Sequence, residues 1–454
     1  MIYDYYETRI IYGFYSDGDK LPSISQISTT FKLAPATVRE ALAMLEKNGY
    51  IRVDARRAAR VIYKAERRQY RENAARYFVP RQEGIVDLAM SGQLLFEPLW
   101  EAGLARLNDK DWDEFMHRFN VTFKGALSMP VKFYIMTLGA LNNKLILNLY
   151  WEMVRYIRFP YMAGPKEQEQ DQARLKGKTR EAVIVYLRDE FEKSYTKAVT
   201  TLFAFLESAR SEYALENEPQ IPFVWNLYRQ RPQLRYSLAS RIIREIISGR
   251  YPVGSYLPSL PNLSEQYGVA LNTVRRTLSI LGSLGVTRSY HGKGTLVCME
   301  PVQIDLTRPE IREGLRLYLE SLELLELTIE KIVIHTLESV AADKYHELAQ
   351  SYRKLCDDHK SSVSVELMLA FVEQECPLAL IRECCSKLRE LIVWGYPFTL
   401  YRLGDKDLDA EYRSYAERAQ SCLEAGDTEG FAKIWKDFAA EDAKKIRIFL
   451  EQRS

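Results

Sequence analysis

A chain of 454 residues with 63 lysines and arginines against 61 aspartates and glutamates carries a formal net charge of only +2, which argues against a nucleic-acid partner if the charge is evenly spread. The apolar fraction of 47% and the charged fraction of 27% exclude a disordered chain, a collagen-like repeat and a disulfide miniprotein. No apolar run reaches the roughly 18 residues of a membrane-spanning helix, MIYDYYETRI offers no apolar signal segment, and the length allows about three domains of roughly 150 residues. The expectation is a cytoplasmic protein with no membrane partner.

The first 62 residues recur, without a gap, 236 positions later. Leu21-Pro22-Ser23 returns as Leu257-Pro258-Ser259, Thr37-Val38-Arg39 as Thr273-Val274-Arg275, and Ile10-Ile11 with Gly13 as Ile246-Ile247 with Gly249. Tyr15, Gly18, Leu42, Leu45, Gly49 and Val61 keep the same register. A period this long indicates duplication of whole domains rather than a solenoid, so the chain divides into 1–65, 66–225, 226–300 and 301–454.

Segment 66–225 is predicted to be helical, with apolar positions three and four apart from Val183 to Leu206. Pro219, Pro222 and Pro232 mark a linker between Glu216 and Arg235. In the second copy Leu238, Ile242, Ile246 and Ile247 share one helical face, which Gly249 ends. Ser259 is placed to cap a helix carrying Leu260, Leu263 and Tyr267, and Gly268 breaks it. Asn272 or Thr273 then opens a third helix, with Val274, Leu278 and Leu281 inward and Gly285 at its close. Strands are expected at Val286–Tyr290 and Thr295–Met299, joined by His291-Gly292-Lys293-Gly294. This order predicts a winged helix-turn-helix. Segment 301–454 returns to helical periodicity, with Leu315, Leu319, Leu322, Leu325 and Ile329 on one long helix and Phe431–Leu450 on another. The fold class is therefore mainly α with small β wings: two winged helix-turn-helix domains, each followed by an all-helical domain.

The motifs of catalysis are missing. Cys298, Cys356, Cys376, Cys384, Cys385 and Cys422 include no Cys-x-x-Cys, and five histidines form no His-x-x-x-His pair. No phosphate-binding glycine loop or nucleophile elbow is present. We expect no enzyme activity, no cofactor and no metal.

The stretch from Tyr251 to Val297 resembles the DNA-binding domain of the GntR family of bacterial transcription regulators. The matching segments are Tyr-Pro-Val-Gly-Ser-Tyr-Leu-Pro-Ser, Leu-Ser-Glu-Gln-Tyr-Gly-Val, Asn-Thr-Val-Arg-Arg-Thr-Leu and Gly-Lys-Gly-Thr-Leu-Val. The first copy keeps Leu21-Pro22-Ser23 and Thr37-Val38-Arg39-Glu40-Ala41-Leu42, but its wing turn reads Arg56-Arg57-Ala58-Ala59. The resemblance implies a double-stranded DNA operator as partner, with the N-terminal half of each recognition helix in the major groove. On that basis Thr37, Arg39, Arg56 and Arg57 in the first copy, and Ser259, Asn272, Thr273, Arg275, Arg276, His291 and Lys293 in the second, are the expected DNA-binding residues.

Charge is placed accordingly. Residues 231–298 hold nine Lys/Arg and two Asp/Glu, a net +7, and residues 1–76 hold fourteen and nine, a net +5; the rest of the chain carries −10. Two basic heads on acidic helical segments suit salt-dependent phosphate binding. There are departures from the family pattern. Ile24-Ser25 and Leu260-Pro261 stand where Glu-Arg usually follows Leu-Pro-Ser, and Ala34-Pro35 and Ala270-Leu271 stand where Ser-Arg usually precedes the recognition helix. Either the operator is unusual and affinity comes from other basic groups, or at least one head has become a structural relic; the alternative function is a protein-interaction scaffold without specific DNA binding. The helical segments resemble the FadR-like branch, which implies an unknown small-molecule effector, with Tyr134, Tyr150, Trp151, Trp394 and Tyr396 as candidate lining residues. Family members bind DNA as homodimers. Two heads in one chain imply an internal pseudo-dimer, with a homodimer as the alternative.

Overall fold

Apolar side chains three and four residues apart put one stripe of each N-terminal helix into a common core. In the computed structural model, which describes residues 2–31, 33–54, 58–120, 129–158, 179–227, 234–404 and 407–452, two compact units divide the chain. The first comprises residues 1–93, 100–143 and 147–224, the second 94–99, 144–146 and 225–454.

The first unit opens with a winged helix made of α1 (Ile2–Ile11), α2 (Ile24–Phe31), α3 (Pro35–Lys47) and the two short strands β1 (Ile51–Arg52) and β2 (Arg60–Val61). Ile2, Tyr5, Tyr6 and Ile10 of α1 pack with Ile27, Phe31, Val38, Leu42 and Leu45 in its core. The strands pair antiparallel, Ile51 opposite Val61. Among the described residues the helices that follow are α4 (Arg67–Phe78), α5 (Gln82–Ala105), α6 (Asp109–Asn120), α7 (Met129–Ala140), α8 (Lys144–Ile157) and α9 (Arg180–Glu212). The run read from Val183 to Leu206 lies within α9, and both of those residues are buried. Gly103 lets α5 approach α7 closely, since a Cβ there would stand 2.1 Å from the Thr137 carbonyl oxygen.

Charged groups fasten this head to its helical body. Arg155 of α8 pairs with Asp4 at 3.1 Å, and Arg158 pairs with Glu7 at 3.2 Å. The Arg158 guanidinium also lies 4.1 Å from the centre of the Tyr77 ring. From α4, the Tyr77 hydroxyl donates toward the carbonyls of Arg155 and Tyr156, and the Asn73 amide donates to the Ile11 carbonyl at 3.0 Å.

The second unit repeats the winged helix with α10 (Leu234–Ile247), α11 (Leu260–Tyr267), α12 (Leu271–Ser283), β3 (Thr287–Tyr290) and β4 (Gly294–Val297). Backbone bonds recur at the 236-residue offset. Gly18 N donates to Val61 O and Gly254 N to Val297 O, both at 2.8 Å; Leu21 N donates to Ala59 O and Leu257 N to Thr295 O, also at 2.8 Å. Single bridges at Lys20–Arg60 and Tyr256–Leu296 attach the approach to α2 and α11 to each wing. Ser259 caps α11 as expected, and Gly268 ends it in the left-handed region at φ 64°. The sequence reading of α12 requires correction. Neither Asn272 nor Thr273 caps it; Ala270 holds the cap position in an extended conformation, and its carbonyl accepts the amides of Thr273 and Val274. Of the expected strands, β3 starts one residue later, at Thr287, and β4 runs from Gly294 to Val297, two residues short at its end and one longer at its start.

The helical body that follows consists of α13 (Pro309–Ser339), α14 (Ala342–Asp357), α15 (Ser364–Glu375), α16 (Ala379–Ile392), α17 (Gly395–Leu403), α18 (Leu408–Ala425) and α19 (Thr428–Glu451). Leu322, Leu325 and Ile329 of α13 are buried as the periodicity requires. Leu315 and Leu319 are only half-buried, because the stripe runs instead through Gly314, Leu317 and Tyr318. Two glycines make that packing possible. A Cβ on Gly314 would stand 2.4 Å from the Trp394 ring, and one on Gly395 would stand 2.2 Å from Tyr318. Trp394, wholly buried, donates its indole N–H to Ser240 Oγ of α10 at 2.6 Å. Ser240 is the counterpart of Asp4 at the 236-residue offset. One position thus fastens both heads, by an ion pair in the first and a neutral hydrogen bond in the second. No helix among the described residues is long and apolar enough to cross a membrane.

The glycine that ends each recognition helix differs in its surroundings. Gly49 and Gly285 both have positive φ, 76° and 74°, but a Cβ on Gly285 would also stand 2.2 Å from the Glu300 carbonyl oxygen, whereas Gly49 faces open space. Gly49→Ala is expected to cost about 1–2 kcal/mol of local stability from the left-handed backbone alone. Gly285→Ala should cost clearly more and should speed hydrogen–deuterium exchange across β3 and β4, measured in the full chain.

Candidate nucleic-acid interface

Each recognition helix has a buried stripe and an opposite exposed one. In α3, Val38, Leu42 and Leu45 are at most 4% exposed, while Ala36, Thr37, Arg39 and Glu40 face solvent. In α12, Val274, Leu278 and Leu281 are buried and Asn272, Arg275 and Arg276 face solvent. Thr273 is half-buried, and its backbone is engaged at both ends: its N–H donates to Ala270 O, and its carbonyl accepts the Thr277 hydroxyl. Neither helix has a side-chain cap at its start. The first-turn N–H groups therefore keep the partial positive charge that favours a nearby phosphate.

The basic groups of these helices are available. Arg39, Arg275, Arg276 and Lys293 enter no ion pair among the described residues. Other cations of the second head are committed. Arg241 and Arg250 both pair with Glu245, at 3.3 and 3.0 Å, and Tyr267 donates its hydroxyl to the same carboxylate at 2.6 Å. Burial, reinforced by Glu245, pushes the Tyr267 hydroxyl well above the usual tyrosine range. These two arginines thus share a single carboxylate.

The wing of the second head places His291 and Lys293 at an exposed turn closed by Lys293 N donating to Tyr290 O at 3.2 Å. Ser259 is exposed but accepts the Asn262 amide as a helix cap. The wing-tip residues Arg56 and Arg57 of the first head lie outside the described residues. Arg60, on β2, is exposed.

Sequence reasoning missed a cleft. Between α12 and the wing of the second head lies an open cavity of about 700 Å³, bordered by Arg275, Ser279 and Gly282 on the helix and Arg288 and Tyr290 on the strand. The corresponding positions of the first head differ at several places, among them Ala43 for Ser279, Asp54 for Tyr290 and Glu46 for Gly282; the Glu46 carboxylate accepts the Val53 amide at 2.8 Å. The register of the repeat held this signal, a glycine opposite a glutamate.

The aromatic residues proposed to line an effector site fall in two groups. Tyr134 stacks on Tyr150 at 5.0 Å, with Trp151 edge-on to Tyr150 at 5.4 Å, in the first body. In the second, Trp394 binds Ser240, and Tyr396 donates to the Ser362 carbonyl at 2.7 Å while stacking on Tyr412. Among the described residues no three His, Cys, Asp or Glu side chains gather as metal ligands.

Two segments, residues 1–61 and 234–297, match the family model described as bacterial regulatory proteins, gntR family. RmpR of Mycobacterium gastri, named as an HTH-type transcriptional regulator, is 36% identical over 84 residues, covering 18% of this chain and 31% of that protein. The match thus spans under a third of this relative's length. Among solved structures, McbR/YncC of E. coli is 21% identical with a TM-score of 0.27, covering 49% of this chain and 99% of that one. GntR of Streptococcus agalactiae is 14% identical with a TM-score of 0.19, covering 46% and 99%. Residues 1–61 and 234–297 are thus two winged-helix regions of the gntR type within a single chain.

Proposed function

We propose that the chain is a transcription regulator of the GntR type, built by duplication of a winged helix and a FadR-like helical body. It binds a double-stranded DNA operator through both heads as an internal pseudo-dimer. The observation that carries this reading is the paired exposed stripe, with Arg39 on α3 and Asn272, Arg275 and Arg276 on α12 free of acidic partners opposite a fully apolar face. Arginine forks suit bidentate contact with guanine edges, and asparagine suits adenine. Because the two stripes differ, the operator is asymmetric.

A small-molecule effector in a helical body regulates the heads by biasing their placement. The Trp394–Ser240 bond supports this step, since a ligand that displaces Trp394 acts directly on α10. A second reading, a protein-interaction scaffold, is favoured by the non-polar residues Ile24, Leu260 and Pro261 at positions where the family carries charged side chains.

Fluorescence anisotropy with the fragment upstream of the gene separates the two readings. A regulator should bind with an affinity that falls steeply with salt; absent or salt-insensitive binding would favour the scaffold. Arg275→Ala is expected to lose about 1–3 kcal/mol on the operator but little on unrelated DNA. An unchanged operator affinity would remove Arg275 from base recognition. Light scattering of the DNA complex should find one chain per duplex, and two chains would replace the pseudo-dimer by a homodimer.

A further inference from the structure

At the 236-residue offset the charge reverses in sign at one position beside the wings, where Lys64 of the first head corresponds to Glu300 of the second. On the second head, Glu300 follows β4 and pairs with Arg288 of β3, and both side chains are about half exposed, 48% and 53%. Its backbone is fixed, with Glu300 N donating to Gly285 O at 2.9 Å and the Glu300 carbonyl set against the Cα of Gly285. The carboxylate therefore springs from a rigid point at the border of the cleft between α12 and the wing. At the 236-residue offset, Arg288 corresponds to Arg52 and Glu300 corresponds to Lys64. Lys64 is exposed and pairs with Asp17 at 3.4 Å. The same position is thus acidic in the second head and basic in the first.

The cleft of the second head borders on Gly282, where the first head carries Glu46. Its border includes Arg275, Arg288 and Tyr290. Two guanidinium groups and a phenol suit a phosphodiester, which is singly charged and accepts through two oxygens. Glu300 presents the same charge and the same acceptor pair to Arg288.

We propose that the α12–wing cleft of the second head is a binding site for a DNA backbone phosphate, and that Glu300 is a built-in competitor occupying Arg288 until DNA displaces it. The proposal rests on the DNA-binding reading above. On binding, Arg288 exchanges one anionic partner for another, and Glu300 is left facing the phosphate as a like charge. The second head is thereby restrained from holding arbitrary duplexes by its backbone, while the first head, with Lys64 at that place, is not.

Titrating the full chain and its variants with the upstream fragment and with an unrelated duplex, over a range of salt, tests this. Glu300→Gln keeps the backbone bond to Gly285 and is expected to raise affinity for both duplexes roughly fivefold, as removal of one nearby like charge should. The log–log salt slope should steepen by about one. Arg288→Gln should weaken both and flatten the slope by about one. In the double variant the gain from Glu300→Gln should vanish, because its target is gone. Wild-type binding with no change on Glu300→Gln would overturn the competitor, and a gain that persists in the double variant would show that Glu300 acts by general charge rather than through Arg288. If the wild-type chain binds neither duplex, the DNA-binding reading fails and this proposal falls with it.

Discussion

Every functional feature of the heads depends on burying one stripe of each recognition helix. Val38, Leu42 and Leu45, like Val274, Leu278 and Leu281, lock α3 and α12 against their neighbours; each such side chain contributes about 1.5–3 kcal/mol when fully buried. That burial fixes the rotation of the helix about its own axis. The opposite stripe, and with it Arg39 or Arg275, is then presented to solvent without any further interaction to aim it. The wing follows from the same constraint, because the chain leaves the helix through Gly49 or Gly285 and returns as a hairpin against its end.

The two heads, alike in backbone, are fastened by different physics. Asp4 and Glu7 meet Arg155 and Arg158 in a half-buried cluster, whose net contribution is the small difference between Coulomb attraction and desolvation. Ser240 instead receives the indole N–H of Trp394, seated against Gly314. Salt and pH act on the first fastening far more than on the second. The heads differ in charge as well, Lys64 in the first and Glu300 in the second occupying one position of the repeat.

Much of the winged-helix architecture was legible in the sequence, because its signals are local: leucines at helical spacing, Ser259 as a cap, glycines at helix ends. The 236-residue register let each head be read twice, and the hydrogen bonds at Gly18 and Gly254 repeat at the same offset. The start of α12 was misread because a polar cap was sought where Ala270 closes the turn with its backbone alone. The Trp394–Ser240 bond spans 154 residues and has no local signature. The cleft beside α12 is lined by residues from a helix, a turn and two strands, which composition and periodicity do not bring together. The Glu300–Arg288 pair escaped notice because Glu300 lies beyond the last motif residue, on a segment whose path is set by Gly285.

The central claim is that both heads of one chain engage one operator. Hydroxyl-radical footprinting of the full chain on the upstream fragment tests it most directly. Two protected patches on the same face of the duplex, separated by about one helical turn, roughly 10 base pairs, or a multiple of it, and unequal in sequence, are expected. A single patch from one head, or two identical patches related by dyad symmetry, would contradict it.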